Sequence, residues 1–118
     1  MRRIIPPKYH YAGVYMIENT SNKKVYIGSS YDIEARLRNH RSALINGTHH
    51  CKELQADFNR RHRFVAHVLY VEPVHRNNRR SNRQKIYAME WKFIEQYDAI
   101  NSGYNQLGMC DNVKKKAL

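Results

Sequence analysis

The chain has no long hydrophobic run, few cysteines and few acidic residues, and each shortage excludes a class of protein. Without a long apolar segment it offers no membrane-spanning helix, and its start (MRRIIPPKYH) lacks the apolar stretch of a signal peptide. Its two cysteines, Cys51 and Cys110, lack Cys-x-x-Cys spacing, so we expect reduced thiols in a cytosolic protein rather than a disulfide. The glycosylation sequons at Asn19 and Asn46 then have no meaning.

Acidic residues are outnumbered by basic ones. The 118 residues contain 21 Lys plus Arg against 10 Asp plus Glu, which leaves a net charge of +11. A charge of this size on so small a body favours a polyanionic partner, with nucleic acid as the first candidate. A basic surface that serves only solubility and an anionic membrane surface are the alternatives. The length fits one domain over residues 1–118, with a core at about 12–106, a basic arm at 1–11 and a tail at 107–118.

Two apolar runs near the N-terminus are separated by a turn-rich segment, residues 18–23 (ENTSNK). Asn, Thr and Ser favour turns because their side chains bond nearby backbone, so the two runs predict a β-hairpin. If a four-residue loop over 19–22 closes it, Tyr15 lies directly across from Tyr26 and Gly13 across from Gly28. The prediction is two phenols side by side, framed by glycines that leave room for a large group.

Local signals further along the chain predict three helices and one more strand. Asp32 can cap a helix that runs to about Asn46 and ends at Gly47, and a second helix spans 52 to about 61. Residues 64–71 (FVAHVLYV) are apolar almost throughout and predict the central strand, covered on both faces. A third helix is expected from about residue 81 to 98. The predicted fold class is α+β, a small three-stranded sheet made of the hairpin and one buried strand, flanked by helices.

Glu90 is the most informative charged residue, because its helical neighbours are apolar or aromatic. Those at three, four and seven positions are Ile86, Tyr87, Phe93, Ile94 and Tyr97. The carboxylate is therefore expected to face inward. Burying it without compensation costs several kcal/mol, so a cation, a hydrogen-bond cage or a metal should accompany it. A structural ion pair with an arginine is the alternative.

Several short motifs occur in the order of a known nuclease family. They are residues 13–15 (GVY), residues 26–28 (YIG), Arg36, His40, Glu90 and residues 103–105 (GYN). This order and spacing resembles the GIY-YIG nuclease domain, and within it the catalytic domain of phage group I intron homing endonucleases. The resemblance implies a DNA endonuclease that hydrolyses a phosphodiester bond with one divalent metal per active site, Mg²⁺ or Mn²⁺, in a phage or bacterial cell.

The resemblance also implies roles for individual side chains. Glu90 would be the only protein carboxylate on the metal, which suits a hard cation that keeps most of its waters. Arg36 would neutralise charge on the scissile phosphate. Tyr15 is our choice for the group that takes a proton from the attacking water, with Tyr26 placing the water or phosphate; the family does not settle which phenol acts. Some relatives carry a lysine directly after the second motif, where this chain has Ser29.

Three further residues complete the predicted site. His40 could relay a proton from Tyr15 or touch phosphate, or be an ordinary helix-surface histidine. Asn105 would hold the metal-site carboxylate or a tyrosine in place, although asparagine after Gly103 is also ordinary turn chemistry. His49 sits where the homing endonucleases carry a further histidine, but the adjacent His50 makes the match ambiguous. A zinc site that uses these two histidines and the two cysteines has no recognisable spacing.

Basic residues outside this site are expected to grip the DNA backbone, which positions a protein without reading sequence. The predicted DNA-binding residues are Arg38, Arg41, Arg76, Arg79, Arg80, Arg83 and Lys85. One active centre per chain implies that a monomer cuts one strand per event, and monomer or homodimer both remain open. Two other readings are a nucleic-acid-binding module without catalysis and a structure-specific repair nuclease of the same family.

Overall fold

The structure is a computed structural model that describes residues 2–3, 11–72 and 79–105. Within this described part of the chain, four strands and three helices follow in the order β1 (Arg2–Arg3), β2 (Ala12–Asn19), β3 (Val25–Ser30), α1 (Ile33–Asn46), α2 (Lys52–Asn59), β4 (Phe64–Glu72) and α3 (Arg79–Gln96). The three long strands form an antiparallel sheet, and the two-residue β1 adds a parallel strand beside β4. The predicted fold class is confirmed. None of the helices in these ranges has both the length and the apolarity to cross a membrane.

The sheet order is β1-β4-β2-β3. Among the three long strands β2 is therefore the central one, so the prediction that residues 64–71 form the central strand was wrong. Strand β2 takes that place because it bonds β3 through the hairpin on one side and β4 on the other. Several side chains of β4 are only half-buried, unlike those of β2.

The hairpin forms as expected, but its register differs from the prediction by two residues. Tyr15 pairs with Gly28, and Tyr26 pairs with Ile17. The loop is longer than predicted because Lys23 adopts a left-handed conformation with φ of 68° and donates its backbone N–H to the Asn19 carbonyl. A shift of two keeps every side chain on its face, so Tyr15 and Tyr26 still share one side of the sheet.

Gly13 accommodates a neighbouring strand rather than a large ligand. A Cβ atom here would lie 1.9 Å from the carbonyl oxygen of Tyr70 on β4. The close approach occurs beside a β-bulge between Val14 and Tyr15, where β4 carries one extra residue. The expectation that Gly13 leaves room for something large is therefore corrected.

Helix α1 follows its predicted caps closely. Asp32 accepts a hydrogen bond from the backbone N–H of Ala35 at the start of α1, and Gly47 ends that helix with φ of 74°. Helices α2 and α3 end two residues earlier than predicted. In each case a residue with positive φ follows the last turn, Arg61 after α2 and Asp98 after α3.

Two apolar clusters lie on opposite faces of the sheet. One packs Tyr15, Ile17 and Tyr26 against α1 and α2, and the other packs alternate residues of the same strands against α3. The domain therefore has three layers, with the sheet in the middle. This layering decides from which side each functional residue approaches.

Candidate active site

A cleft of about 280 Å³ opens where β3 ends, between α1 and α3. Its walls bring together an arginine from each helix and several hydroxyl groups. The lining residues are Ser29, Ser30, Tyr31, Arg36, Arg83, Ile86 and Tyr87. Two guanidinium groups and four hydroxyls form a polar, positively charged lining, which suits a phosphate-bearing ligand.

Glu90 projects inward from α3, as its helical neighbours predicted. The residue is 1% exposed, and Ile86 and Ile94 of the same helix are buried with it. Ser29 donates a hydrogen bond from its hydroxyl to Oε1 of Glu90, at 2.7 Å. Because Ser29 also lines the cleft, Glu90 lies directly behind the cleft wall.

The two motif tyrosines are fully buried on the other face of the sheet. The Tyr15 hydroxyl lies 2.6 Å from Nε2 of His40. The Tyr26 ring packs edge-on to His40, with the ring centroids 5.2 Å apart, and its hydroxyl lies 3.4 Å from Nε2 of His50. Both phenols therefore face a group of histidines that α1 and the loop after it supply.

His40 is almost completely buried in this group, with 3% of its surface exposed. Burial first, and then the positive charge of Arg36 and the nearby His49 and His50, lower the pKa of His40 to about 2. The imidazole is therefore neutral at physiological pH. Its Nδ1 atom lies 2.7 Å from Nε2 of His49.

The carboxylate and the phenols approach the site from opposite faces of the sheet. They converge at the end of β3, where Gly28 pairs with Tyr15 and the next residue, Ser29, holds Glu90. Consecutive residues of a strand face opposite sides, so this dipeptide is where the two layers meet. Strand β3 is thus the structural link between the two halves of the predicted site.

Asn105 lies on the open edge of β3, where it bonds the backbone of that strand. Its Oδ1 accepts the backbone N–H of Ile27, and its Nδ2 donates to the Ile27 carbonyl, each at 2.8 Å. Both ends of the amide thus engage one backbone unit. We expected Asn105 to hold Glu90 or a tyrosine side chain, and the structure shows that it holds the strand that carries Tyr26 and Ser29.

The predicted DNA-binding cations are only partly brought together. Arg83 lines the cleft, where its guanidinium bonds the Tyr31 hydroxyl at 3.1 Å and lies 5.7 Å from that ring. Arg38 pairs with Glu34 and Lys85 with Glu72, each at 3.6 Å, and Arg41 is exposed on α1. Arg79 and Arg80 begin α3, and Arg76 lies outside the described residues.

The donor atoms at Glu90 fit one hard divalent cation. A single carboxylate beside a serine hydroxyl supplies only oxygen, and Mg²⁺ commonly binds one or two carboxylates while it keeps several waters. Across residues 11–72 and 79–105, no cluster of three or more His, Cys, Asp or Glu has the arrangement of a protein-only metal cage. The residues therefore fit Mg²⁺ or Mn²⁺ at Glu90 better than zinc.

Sequence reasoning missed three contributors to the site. No expectation linked Ser29 to Glu90, but its hydroxyl donates a hydrogen bond to that carboxylate. Tyr31 contacts Arg83 in the cleft. Gln55, buried on α2, accepts the backbone N–H of His49. The Ser29 and Tyr31 contacts join residues on different elements, and the Gln55 contact joins a helix to the loop before it. The periodic pattern of one helix or strand therefore predicts none of them.

The chain is similar to known proteins over most of its length. The family model of the GIY-YIG catalytic domain matches residues 11–105. Intron-associated endonuclease 1 of Enterobacteria phage T4 is 45% identical over 49 residues, which are 42% of this chain and 20% of that protein. The alignment therefore spans about a fifth of the length of that phage protein.

Two solved structures share the fold. A mutant of the catalytic domain of intron endonuclease I-TevI superposes with a TM-score of 0.69 at 31% identity, over 80% of this chain and 92% of that one. The catalytic domain of homing endonuclease I-TevI gives 0.67 at 32% identity, over 80% and 96%. With the match to residues 11–105, these likenesses show that the chain belongs to the GIY-YIG catalytic domain family.

Proposed function

We propose that this chain is a divalent-metal-dependent DNA endonuclease that hydrolyses a phosphodiester bond, with one active centre per chain. The observation that carries the proposal is Glu90, a buried carboxylate held by Ser29 behind a cleft that also contains Arg36. Burying a carboxylate in an apolar layer costs free energy, so a carboxylate that has no function is seldom kept there. A carboxylate placed next to an arginine-lined cleft fits phosphate chemistry on a bound metal. The phage relative and the family support a homing-type or stand-alone enzyme that acts in the cytoplasm of a bacterial or phage-infected cell.

In the proposed reaction the attacking water loses a proton to the ionised Tyr15 as its oxygen bonds to phosphorus. One phosphorus–oxygen ester bond breaks, and the departing oxygen takes a proton from solvent water and leaves as an alcohol. Arg36 neutralises the charge that builds on the phosphate oxygens. Tyr26 helps to place the water or the phosphate. When bound, Mg²⁺ or Mn²⁺ at Glu90 would supply Lewis-acid stabilisation of that same charge.

Tyr15 needs help to act as a base near neutral pH. At a reference pKa near 10, only about one tyrosine in a thousand is ionised at pH 7. In this proposal the help comes from the contact of Tyr15 with His40 and from the Arg36 charge that bears on His40, and both act against burial, which favours the neutral phenol. Because Tyr15 is buried in the free chain, the mechanism also requires that DNA binding exposes its hydroxyl to water.

The test is cleavage of supercoiled plasmid and of a branched DNA with Mg²⁺, with Mn²⁺ and with EDTA. Glu90→Gln and Tyr15→Phe should keep DNA binding and lose at least about a hundredfold in rate, which is the scale for a positioned catalytic group. Glu95→Gln, on an exposed position of the same helix, is the matched control. A Glu90→Gln variant that cuts like wild type would exclude the proposed site.

The same assay separates the other readings. Wild type that binds both DNAs but cuts neither with either metal would indicate a nucleic-acid-binding module without catalysis. Cleavage confined to the branched DNA would indicate a structure-specific nuclease of the same family. Since one active centre cuts one strand, a monomer should convert supercoiled plasmid to the nicked form before linear DNA appears.

A further inference from the structure

A line of hydrogen bonds runs from a backbone amide through two histidines to Tyr15. The Cys51 amide lies 3.0 Å from Nδ1 of His49. Nε2 of His49 lies 2.7 Å from Nδ1 of His40, and Nε2 of His40 lies 2.6 Å from the Tyr15 hydroxyl. All three contacts are buried. A histidine ring can donate or accept at either nitrogen, so what matters is the direction of each bond.

The Cys51 amide fixes that direction because a backbone N–H can only donate. Nδ1 of His49 must therefore be bare, and its proton lies on Nε2. That N–H points at Nδ1 of His40, which must then accept. The neutral His40 ring carries its own proton on Nε2, directed at the oxygen of Tyr15.

We propose that the Cys51 amide, acting through His49, fixes His40 as a hydrogen-bond donor to Tyr15, which makes Tyr15 rather than Tyr26 the acceptor of the water proton. The inference rests on the proposed nuclease function and specifies how its general base is held ready to accept a proton. In this tautomer His40 has no lone pair toward Tyr15, so it takes no proton from the phenol. It instead stabilises the phenolate, because a donor bonded to the charged form favours that form.

The two tyrosines differ in their contacts with these histidines. The Tyr26 hydroxyl faces His50 at 3.4 Å, beyond the usual length of a strong hydrogen bond, and His50 is exposed. Tyr15 faces a buried ring at 2.6 Å. Arg36, His49 and His50 are the groups whose charge acts on His40. All three oppose a positive charge on the His40 ring and keep it neutral.

Gln55 holds the loop that carries His49 and Cys51, the residues that set the direction of these hydrogen bonds. Its Oε1 accepts the backbone N–H of His49 at 3.1 Å, and its Nε2 donates to the Leu44 carbonyl at 3.0 Å. The side chain thus ties the His49 loop to the last turn of α1, the helix that carries His40. We assign His49 and Gln55 as positioning residues, which act on Tyr15 only through His40.

The first test needs neither DNA nor metal. Long-range ¹⁵N–¹H correlation spectra of the labelled chain near pH 7 report which nitrogen of each histidine carries the proton. Both His40 and His49 should be neutral and protonated at Nε2. A His40 ring protonated at Nδ1, or at both nitrogens, would overturn the inference even if the chain proves to be a nuclease. If the chain does not cut DNA, the same spectra still decide the tautomers.

The second test compares two replacements of His49 by the pH dependence of cleavage. His49→Leu removes the donor to His40, whereas His49→Gln keeps a terminal amide near the position of Nε2. In His49→Leu the midpoint of the rise in rate should move up by about one pH unit, with about a tenfold loss at pH 7, the scale for one hydrogen bond to a charged group.

The high-pH limit of the rate distinguishes positioning from simple loss of structure. His49→Leu should approach the wild-type rate well above its shifted midpoint, and His49→Gln should follow the wild-type profile. A His49→Leu rate lowered by the same factor at every pH, with an unchanged midpoint, would contradict the assignment. Thermal melts of both variants establish that each is folded at the assay temperature.

Discussion

Replacing Asn105 by leucine should separate its role in holding the fold from the catalytic role suggested by the family resemblance. Asn105 and Ile27 are both fully buried, and the two hydrogen bonds between them satisfy the outward-facing N–H and C=O of an edge strand. Leucine fills much of the same space but offers neither a donor nor an acceptor. Both Ile27 groups would then be left buried without their partner.

The structure sets the size of the effect. Each buried backbone group that loses its partner costs about 1–3 kcal/mol, so Asn105→Leu should lower the free energy of unfolding by roughly 2–6 kcal/mol. For a chain of this length the melting temperature should fall on the order of 10 °C or more. Asn101→Ala is the control, because that exposed amide bonds Asp98 at the surface, and it should change stability by less than about 0.5 kcal/mol.

Calorimetric or circular-dichroism melts measure the loss, and amide hydrogen exchange locates it at Ile27, whose protection should fall more than that of the β2 amides. Cleavage is then compared at a temperature where both proteins are folded. A melting temperature within a degree of wild type, together with a cleavage rate reduced a hundredfold, would refute the structural role. That result would instead support a catalytic role for Asn105.

Further predictions concern other parts of the molecule. Gly13→Ala should prevent a cooperative melt, since its Cβ would lie 1.9 Å from the Tyr70 carbonyl oxygen. Tyr104→Phe should destabilise the fold by about 1–3 kcal/mol in denaturant titrations, because the buried Asp57 carboxylate loses a hydrogen-bond donor. Burial opposes ionised Asp57, but side-chain hydrogen bonds, that of Tyr104 first, hold its pKa below the ordinary value. The stabilisation that ionised Asp57 provides is therefore present above its unfolded pKa, near 4, and is lost as the pH falls through its lower folded pKa. The Asp57→Asn variant should lose this pH dependence of stability. Arg83→Ala should weaken DNA binding equally across unrelated duplexes and reduce the slope of log affinity against log salt by about one, and a change confined to one DNA sequence would contradict a phosphate contact.

Much of the fold could be predicted because its signals are local. Asp32 and Gly47 cap the two ends of α1 through contacts within five residues, and both residues can be recognised as caps in the sequence. The hairpin register could not be read in the same way. Its loop depends on Lys23 in a left-handed conformation. Glycine or asparagine at that position would have indicated a positive φ, but lysine does not. The order of the strands likewise depends on pairing between distant segments.

The candidate site shows the same division between local and distant information. The inward direction of Glu90 followed from helical periodicity, and the structure confirms its burial. Its partner Ser29 is 61 positions away in the chain, and no pattern within α3 or β3 relates them. The direction of the histidine chain depends on one backbone amide, at Cys51, which carries no side-chain signal at all.

The position of β3 has consequences for both halves of the site at once. Because neighbouring residues of a strand face opposite sides, Gly28 and Ser29 belong to different layers, yet one rigid strand places both. That strand is held by β2 on one side and on the other by residues 103–105, where the Tyr104 amide bonds the Val25 carbonyl. A Cβ at Gly103 would lie 2.5 Å from that same carbonyl oxygen, so the close approach requires glycine. Residues 103–105 therefore act through the edge of β3, and loosening them should disturb the phenol side and the carboxylate side together rather than either one alone.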